Sequence, residues 1–249
     1  MRDTPALRDA VQGTPPRWPT SFQVAWSPTG LLVTFRCRDD HRWHTLTERD
    51  APLWQEEVVE VFLAPGLDTP ASYFELEVNP AGVLFDARIH NPDGLRSTMR
   101  ADLDWSCAGL RAETSTQEEA SGDGIPPGEA PSLSQDWTAH LWIPWAGLDP
   151  TSNDSGPTPI WRANFFRVER PDGPRSSDKP DGGADATSNG LDEFSAWSPT
   201  RREPANFHVP ERFGVLLLEG HPDLKQALEG QDPHQLDVPV LFVPQITVF

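Results

Sequence analysis

Much that would label a function is missing from this sequence. No run approaches the roughly 20 consecutive apolar residues that a membrane-crossing helix needs. The opening stretch, MRDTPALRDAVQGTPP, has no apolar core of the secretory kind. Basic residues are scarce: 20 Lys and Arg stand against 38 Asp and Glu, a formal net charge of −18. A phosphate-binding surface needs clustered Lys and Arg, so nucleic acid is excluded as a partner. The expectation is a soluble chain with no membrane partner. Its compartment is open, with the cytoplasm as the default.

Cysteine and methionine are nearly absent. Cys37 and Cys107 form no metal-spacing motif. Both fall in apparent strands and read as small buried hydrophobes, with their pairing and redox compartment left open. Met1 and Met99 are the only thioethers, which disfavours haem, although ligation by two histidines remains formally open. No Gly-rich phosphate loop and no Gly-x-Ser-x-Gly elbow occurs.

What the chain does have is turns. Its 27 prolines and 18 glycines punctuate short alternating segments, and no long helical period competes with them. Strands are expected over 21–26, 31–37, 58–63, 73–78, 83–89, 105–114, 137–145, 161–169 and 215–218, with a helical turn at 224–228 and an apolar edge strand in the tail. Roughly nine or ten strands favour an all-β, antiparallel, jelly-roll-like β-sandwich. Two long low-complexity loop insertions, 115–135 and 170–193, interrupt it. The domain reading is a loosely ordered lead-in over 1–17, the sandwich over 18–220, and a C-terminal extension over 221–249 packed on it.

The stretch Ala51–Ala87 organises the rest. Phe74, Leu76 and Val78 alternate with Tyr73, Glu75 and Glu77. Asn79-Pro80-Ala81-Gly82 then supplies a turn, and Val83, Phe85, Ala87 and Ile89 resume the apolar side. The expectation is a hairpin with one apolar and one largely polar face, with Glu77 and Arg88 meeting across it.

Several residues are candidates for chemistry. Trp54 precedes an acidic stretch, and a flat aromatic face beside carboxylates suits a hydroxyl-dense ligand; capping the sandwich end is the competing reading. Glu60 and Arg167 interrupt apolar strands, where a buried charge needs a partner. With Glu77 and Arg88 they form either a ligand-holding face or a salt-bridge network. Glu60, Glu75, Glu77 and Glu169 also raise a glycosidase pair as a lesser alternative. His41-x-x-His44 suggests a transition metal only faintly. The metal set is unknown, no cofactor is expected, and a structural calcium held by acidic loops is favoured over the transition metal.

The blocks LWQEEVVEVFLAP, YFELEVNPAGVLFDA, HLWIPWAGL, WRANFFRVER and AWSPT with FHVPERFG resemble, in order, family 9 carbohydrate-binding modules and their single-domain relatives. The resemblance spans about residues 18 to 218. It implies a non-catalytic β-sandwich that holds a small saccharide or glycan terminus between two aromatic residues, with polysaccharides such as xylan as targets. On this match Trp54 takes the first clamp position and Glu60 the acid that follows it. Phe207 stands where the second tryptophan belongs, and Arg167 where the family has an amide. Apart from the match, Glu77, His208 and Arg88 complete the expected hydrogen-bonding set. Relatives of this sandwich that bind haem or transfer electrons supply the second functional reading. An accessory interaction subunit is the third.

Overall fold

The computed structural model describes residues 4–116, 135–148, 157–173 and 192–247. The inner parts of the two expected insertions, 117–134 and 174–191, lie outside the described residues. Among the described residues, thirteen strands form two sheets. They are β1 (Arg8–Asp9), β2 (Thr20–Ser27), β3 (Gly30–Cys37), β4 (Val58–Pro65), β5 (Ser72–Val78), β6 (Leu84–His90), β7 (Arg100–Asp102), β8 (Arg111–Thr116), β9 (Trp137–Pro144), β10 (Ile160–Glu169), β11 (Glu193–Ala196), β12 (Gly214–Leu218) and β13 (Val240–Val243). The smaller sheet runs β2-β3-β9-β8. The larger runs β1-β11-β10-β4-β5-β6-β7, with β12 on β10 and β13 on β12. Every pairing is antiparallel except β12 with β13.

The sandwich forms because period-2 apolar sets from both sheets close on each other. Phe22, Val24, Leu31, Val33, Phe35, Leu141 and Ile143 of the smaller sheet meet Val59, Val61, Leu63, Leu76, Val78 and Phe165 of the larger in one buried core. The turn between β2 and β3 is secured locally, with the Thr29 amide donating to Ser27 Oγ at 3.2 Å. Trp145 opens the short helix α1 (Trp145–Leu148) and stacks on Trp161 at 5.1 Å between ring centres.

The larger sheet is buried on both faces. A second apolar cluster on its outer face gathers Val58, Phe62, Tyr73, Phe85, Ala87, Ile89, Phe166, Val168, Phe207 and Phe213. This corrects the expected hairpin. Glu77 lies opposite Phe85, while Phe74 lies opposite Arg88. The apolar residues of β5 therefore face inward and those of β6 face outward. The alternation within each strand is as expected, but the register across Asn79–Gly82 sets the two apolar sets on opposite faces. Glu77 and Arg88 consequently do not meet.

Other differences are local. The strand expected over 105–114 starts only at Arg111; before it, Gly109 takes a φ of 80° and the Leu110 amide bonds Cys107 O. Within 4–17, read as a loose lead-in, Leu7 and Ala10 are buried and β1 pairs with β11. The tail forms β13 beside β12, and the helical turn at 224–228 appears as α2 (Leu224–Ala227). Cys37 and Cys107 are free and buried, and burial pushes both thiols up to about 12.

Candidate functional site

Alternation places the site. On β4, Glu60 shares the outer face with Phe62, and its neighbours across the ladders are Glu77 on β5 and Phe166 on β10. Two residues along β5, Glu75 falls on the same face, as does Tyr73. The carboxylate oxygens of Glu60, Glu75 and Glu77 come within 4.8 Å of one another, and all three residues are buried. Carboxylates directly opposite on paired strands repel, and burial removes the water that would screen them. All three are accordingly held above the ordinary carboxylate range. Burial is the main cause; for Glu60 the Glu75 charge adds to it, and for Glu77 the Glu60 and Glu75 charges do. Glu75 rises to about 7, with a hydrogen bond to Glu77 and the charge of Arg96 pulling the other way.

Aromatic side chains frame this patch. Trp54 sits in the 3₁₀ turn Leu53–Gln55, half-buried, and meets Phe85 edge-on at 5.0 Å and 76°. Its Nε1 is buried with no hydrogen-bond partner among the described residues. Phe207 lies face to face on Phe166 at 4.2 Å and 15°, and is only 8% exposed. His208 shares a 2.9 Å hydrogen bond through Nδ1 with the Tyr73 hydroxyl, and its Nε2 stands 3.9 Å from Glu75 Oε1. Burial, reinforced by the Arg96 charge, lowers His208 to about 3, so the ring is neutral at pH 7. Asn91 fixes the loop from the other side, donating through Nδ2 to His208 O at 3.2 Å.

Of the residues singled out from sequence, Trp54, Glu60, Glu77, Phe207 and His208 share this outer face. Two do not. Arg88 is exposed and lies opposite Phe74, with its guanidinium 5.5 Å from the Trp105 ring centre. Arg167 lies opposite Val59, whose side chain is in the core between the sheets. There its Nη2 donates to Asp39 at 3.0 Å and to Glu169, and its Nη1 donates to Arg38 O at 2.7 Å. Arg167 closes one end of the sandwich as part of a buried ion network with Asp39, Glu57 and Glu169.

Of the residues around this patch, the sequence marks Glu75 only as a glycosidase candidate and does not single out Tyr73 or Arg96. The alternation of β5 does place Tyr73 and Glu75 with Glu77, so that signal was present. Arg96 lies in a polar link without period, and nothing local marks it. A shallow depression of about 660 Å³ also opens on the smaller sheet, lined by Thr29, Ala108, Gly109, Arg111, Trp142 and Pro144. Arg111 is its one ionisable lining residue, and it lacks the converging polar groups of the outer face.

No family model matches the chain. An "Extracellular protein" of the fungus Arthroderma benhamiae is 26% identical over 152 residues, which is 60% of this chain and 63% of that protein, under two thirds of its length. Among solved structures, a "putative carbohydrate-binding protein" from Bacteroides uniformis superposes with a TM-score of 0.58 at 18% identity, covering 87% of each chain. A family 9 carbohydrate-binding module from Caldicellulosiruptor kristjanssonii in complex with cellotriose gives 0.46 at 15% identity, over 87% of this chain and 83% of that one. The fold is thus the β-sandwich of the Bacteroides uniformis protein.

Proposed function

We propose that the protein binds a saccharide on the outer face of its larger sheet, without cleaving it. The observation that carries this reading is a convergence at one place. A half-buried tryptophan has an N–H without an acceptor among the described residues, its backbone reaches Glu77 of the buried carboxylate group, and the neutral His208 flanks that group at Glu75. A sugar hydroxyl donates and accepts at once, so one hydroxyl-dense ring answers both needs. Its C–H face suits the Trp54 ring. Phe207, with its face already against Phe166, contributes an edge. Glu60 and Glu75 accept from hydroxyls, His208 Nε2 adds a further polar contact, and Glu77 stands beside Glu60 on the neighbouring strand. The Bacteroides uniformis protein that shares the fold bears a carbohydrate-binding description, which agrees in ligand class.

The arrangement argues for binding over hydrolysis. Glycosidase carboxyls flank the scissile bond, with about 5 to 9.5 Å between them for sugar and water. Glu60, Glu75 and Glu77 instead crowd side by side on two paired strands. A glycan array followed by calorimetry with the best glycan tests the reading. The wild type is expected to bind at least one glycan and Glu60→Gln to bind it at least tenfold more weakly. Absence of any bound glycan, or full binding by Glu60→Gln, sinks it.

A further inference from the structure

The depression on the smaller sheet joins an aromatic ring to a cation at the surface. We propose that it is a second ligand site, which holds an acidic sugar residue, a uronate, with its ring on Trp142 and its carboxylate on Arg111. The site is separate from the outer face of the larger sheet and does not depend on what binds there.

Strand register builds it. The outward residues of the smaller sheet form rows across the strands, and one row runs Ala25, Leu32, Trp142 and Arg111. The half-buried Trp142 ring lies against the backbone of β3. A Cβ at Gly30 would stand 2.6 Å from that ring and 2.8 Å from Ile143 O, so only glycine admits it. Gly109, at a φ of 80°, brings the turn over 107–110 against Pro144, where a Cβ would stand 3.2 Å from the proline ring.

Charge selects the ligand. Arg111 is exposed, and among the described residues it has no hydrogen bond, ion pair or ring contact. The other arginine of this face, Arg36, donates to Gln23 at 3.0 Å, and His140 shares a 2.9 Å hydrogen bond with the Thr34 hydroxyl. Glu113, one row along and opposite His140, is the one acid among the outward strand residues. Two arginines thus stand with one carboxylate, in a chain that carries 38 acidic residues to 20 basic ones. A guanidinium pairs a planar carboxylate through two parallel N–H bonds. Arg111 and Trp142 are directly opposed, with Cβ atoms about 4.5–5.5 Å apart in such pairs. One pyranose ring can therefore cover the indole with its C–H face while its own carboxylate meets Arg111. The depression is shallow, so a residue within a chain fits as well as a terminal one. Water reaches it, and screening makes it a weaker site than an enclosed one.

Calorimetry of the full chain at pH 7 and low salt, with trigalacturonic acid and with the same trimer as its neutral methyl ester, tests the proposal. The wild type is expected to bind the acid, and the ester about tenfold more weakly. Arg111→Gln is expected to bring the acid down to the level of the ester, and Trp142→Ala to lose both. Arg100→Gln removes an exposed charge from β7 of the other sheet and is expected to leave binding within about twofold of wild type. Arg111 is exposed on an edge strand, so its variant carries the test if Trp142→Ala does not fold. A neutral glycan held at the outer face is expected to keep its affinity in Arg111→Gln, so the two sites are read separately. No binding of the acid by the wild type, equal binding of acid and ester, unchanged affinity for the acid in Arg111→Gln, or loss of it in Arg100→Gln would each overturn the assignment.

Discussion

Phe166 and Arg167 are neighbours in β10 and face opposite ways: Phe166 lies across from Glu60 on the outer face, and Arg167 lies across from Val59 in the core between the sheets. That one-residue alternation separates two groups of buried charge. The outer one, framed by Trp54, Glu75 and His208, is the proposed ligand site. The inner one holds the sandwich end together through Arg167.

Arg167→Met is therefore expected to unfold the protein more easily without touching the proposed saccharide site. Removing one partner of a buried ion group strands the others, which costs about 3–5 kcal/mol. For a chain of this size that is a drop of roughly 2–4 °C per kcal/mol in the unfolding midpoint. Differential scanning calorimetry reads the midpoint, and a glycan titration well below it reads binding, expected within threefold of wild type. A stable variant that no longer binds glycan would place Arg167 on the wrong face.

Stability is expected to fall as the solution is made alkaline. Burial and neighbouring acids raise Glu169 from the ordinary 4.5 to about 8 and Glu57 to about 10. Between about pH 4.5 and those values the folded state keeps protons that the unfolded chain has released. The unfolded chain then binds fewer protons, so stability declines with pH, approaching about 1.4 kcal/mol per unit for each group. Urea unfolding from pH 5 to 9 measures the slope. Glu57→Gln, which cannot titrate, is expected to flatten it, most clearly above pH 8. A stability that rises over this range contradicts the buried placement of these acids.

How much of this was legible in the sequence depends on which physical signal each residue carries. The alternation in β2, β3, β5 and β9 reveals strands and the residues that share a face within each. It does not reveal how two strands register across a turn, which is why the β6 residues Phe85 and Ala87 were set on the wrong side of the hairpin. In β10 all ten residues from Ile160 to Glu169 are buried, so polarity gives no clue to the face of Arg167. β1 and β11 are too short to show a period and exist through pairing with residues far along the chain. Trp54 and Glu60 stood out because a tryptophan beside acids and a carboxylate amid valines are each locally unusual.

Gly214→Ala tests a close approach in the scaffold. A Cβ there would stand 2.8 Å from Pro239 O and 2.4 Å from the Trp197 ring. The backbone contact cannot yield without moving the strand that follows Pro239, so overpacking of about 1–3 kcal/mol is expected. Chemical denaturation measures it, and an unchanged midpoint would show that the tail is free to move aside.

Trp54→Ala is expected to abolish glycan binding at a modest cost in stability. The ring is half-buried and its edge contact with Phe85 is worth about 0.5–1.5 kcal/mol beyond the area it covers. Near-native circular dichroism with no detectable binding is the expected pair of results. Collapse of the fold would make Trp54 a core residue instead.

The central claim is that the outer face of the larger sheet holds the sugar. Calorimetric titration of the best-binding glycan into wild type, Trp54→Ala and Trp142→Ala tests it most directly, because Trp142 lines the depression on the smaller sheet. The account predicts that Trp54→Ala loses the signal and Trp142→Ala keeps it. Loss in Trp142→Ala with binding intact in Trp54→Ala would contradict it.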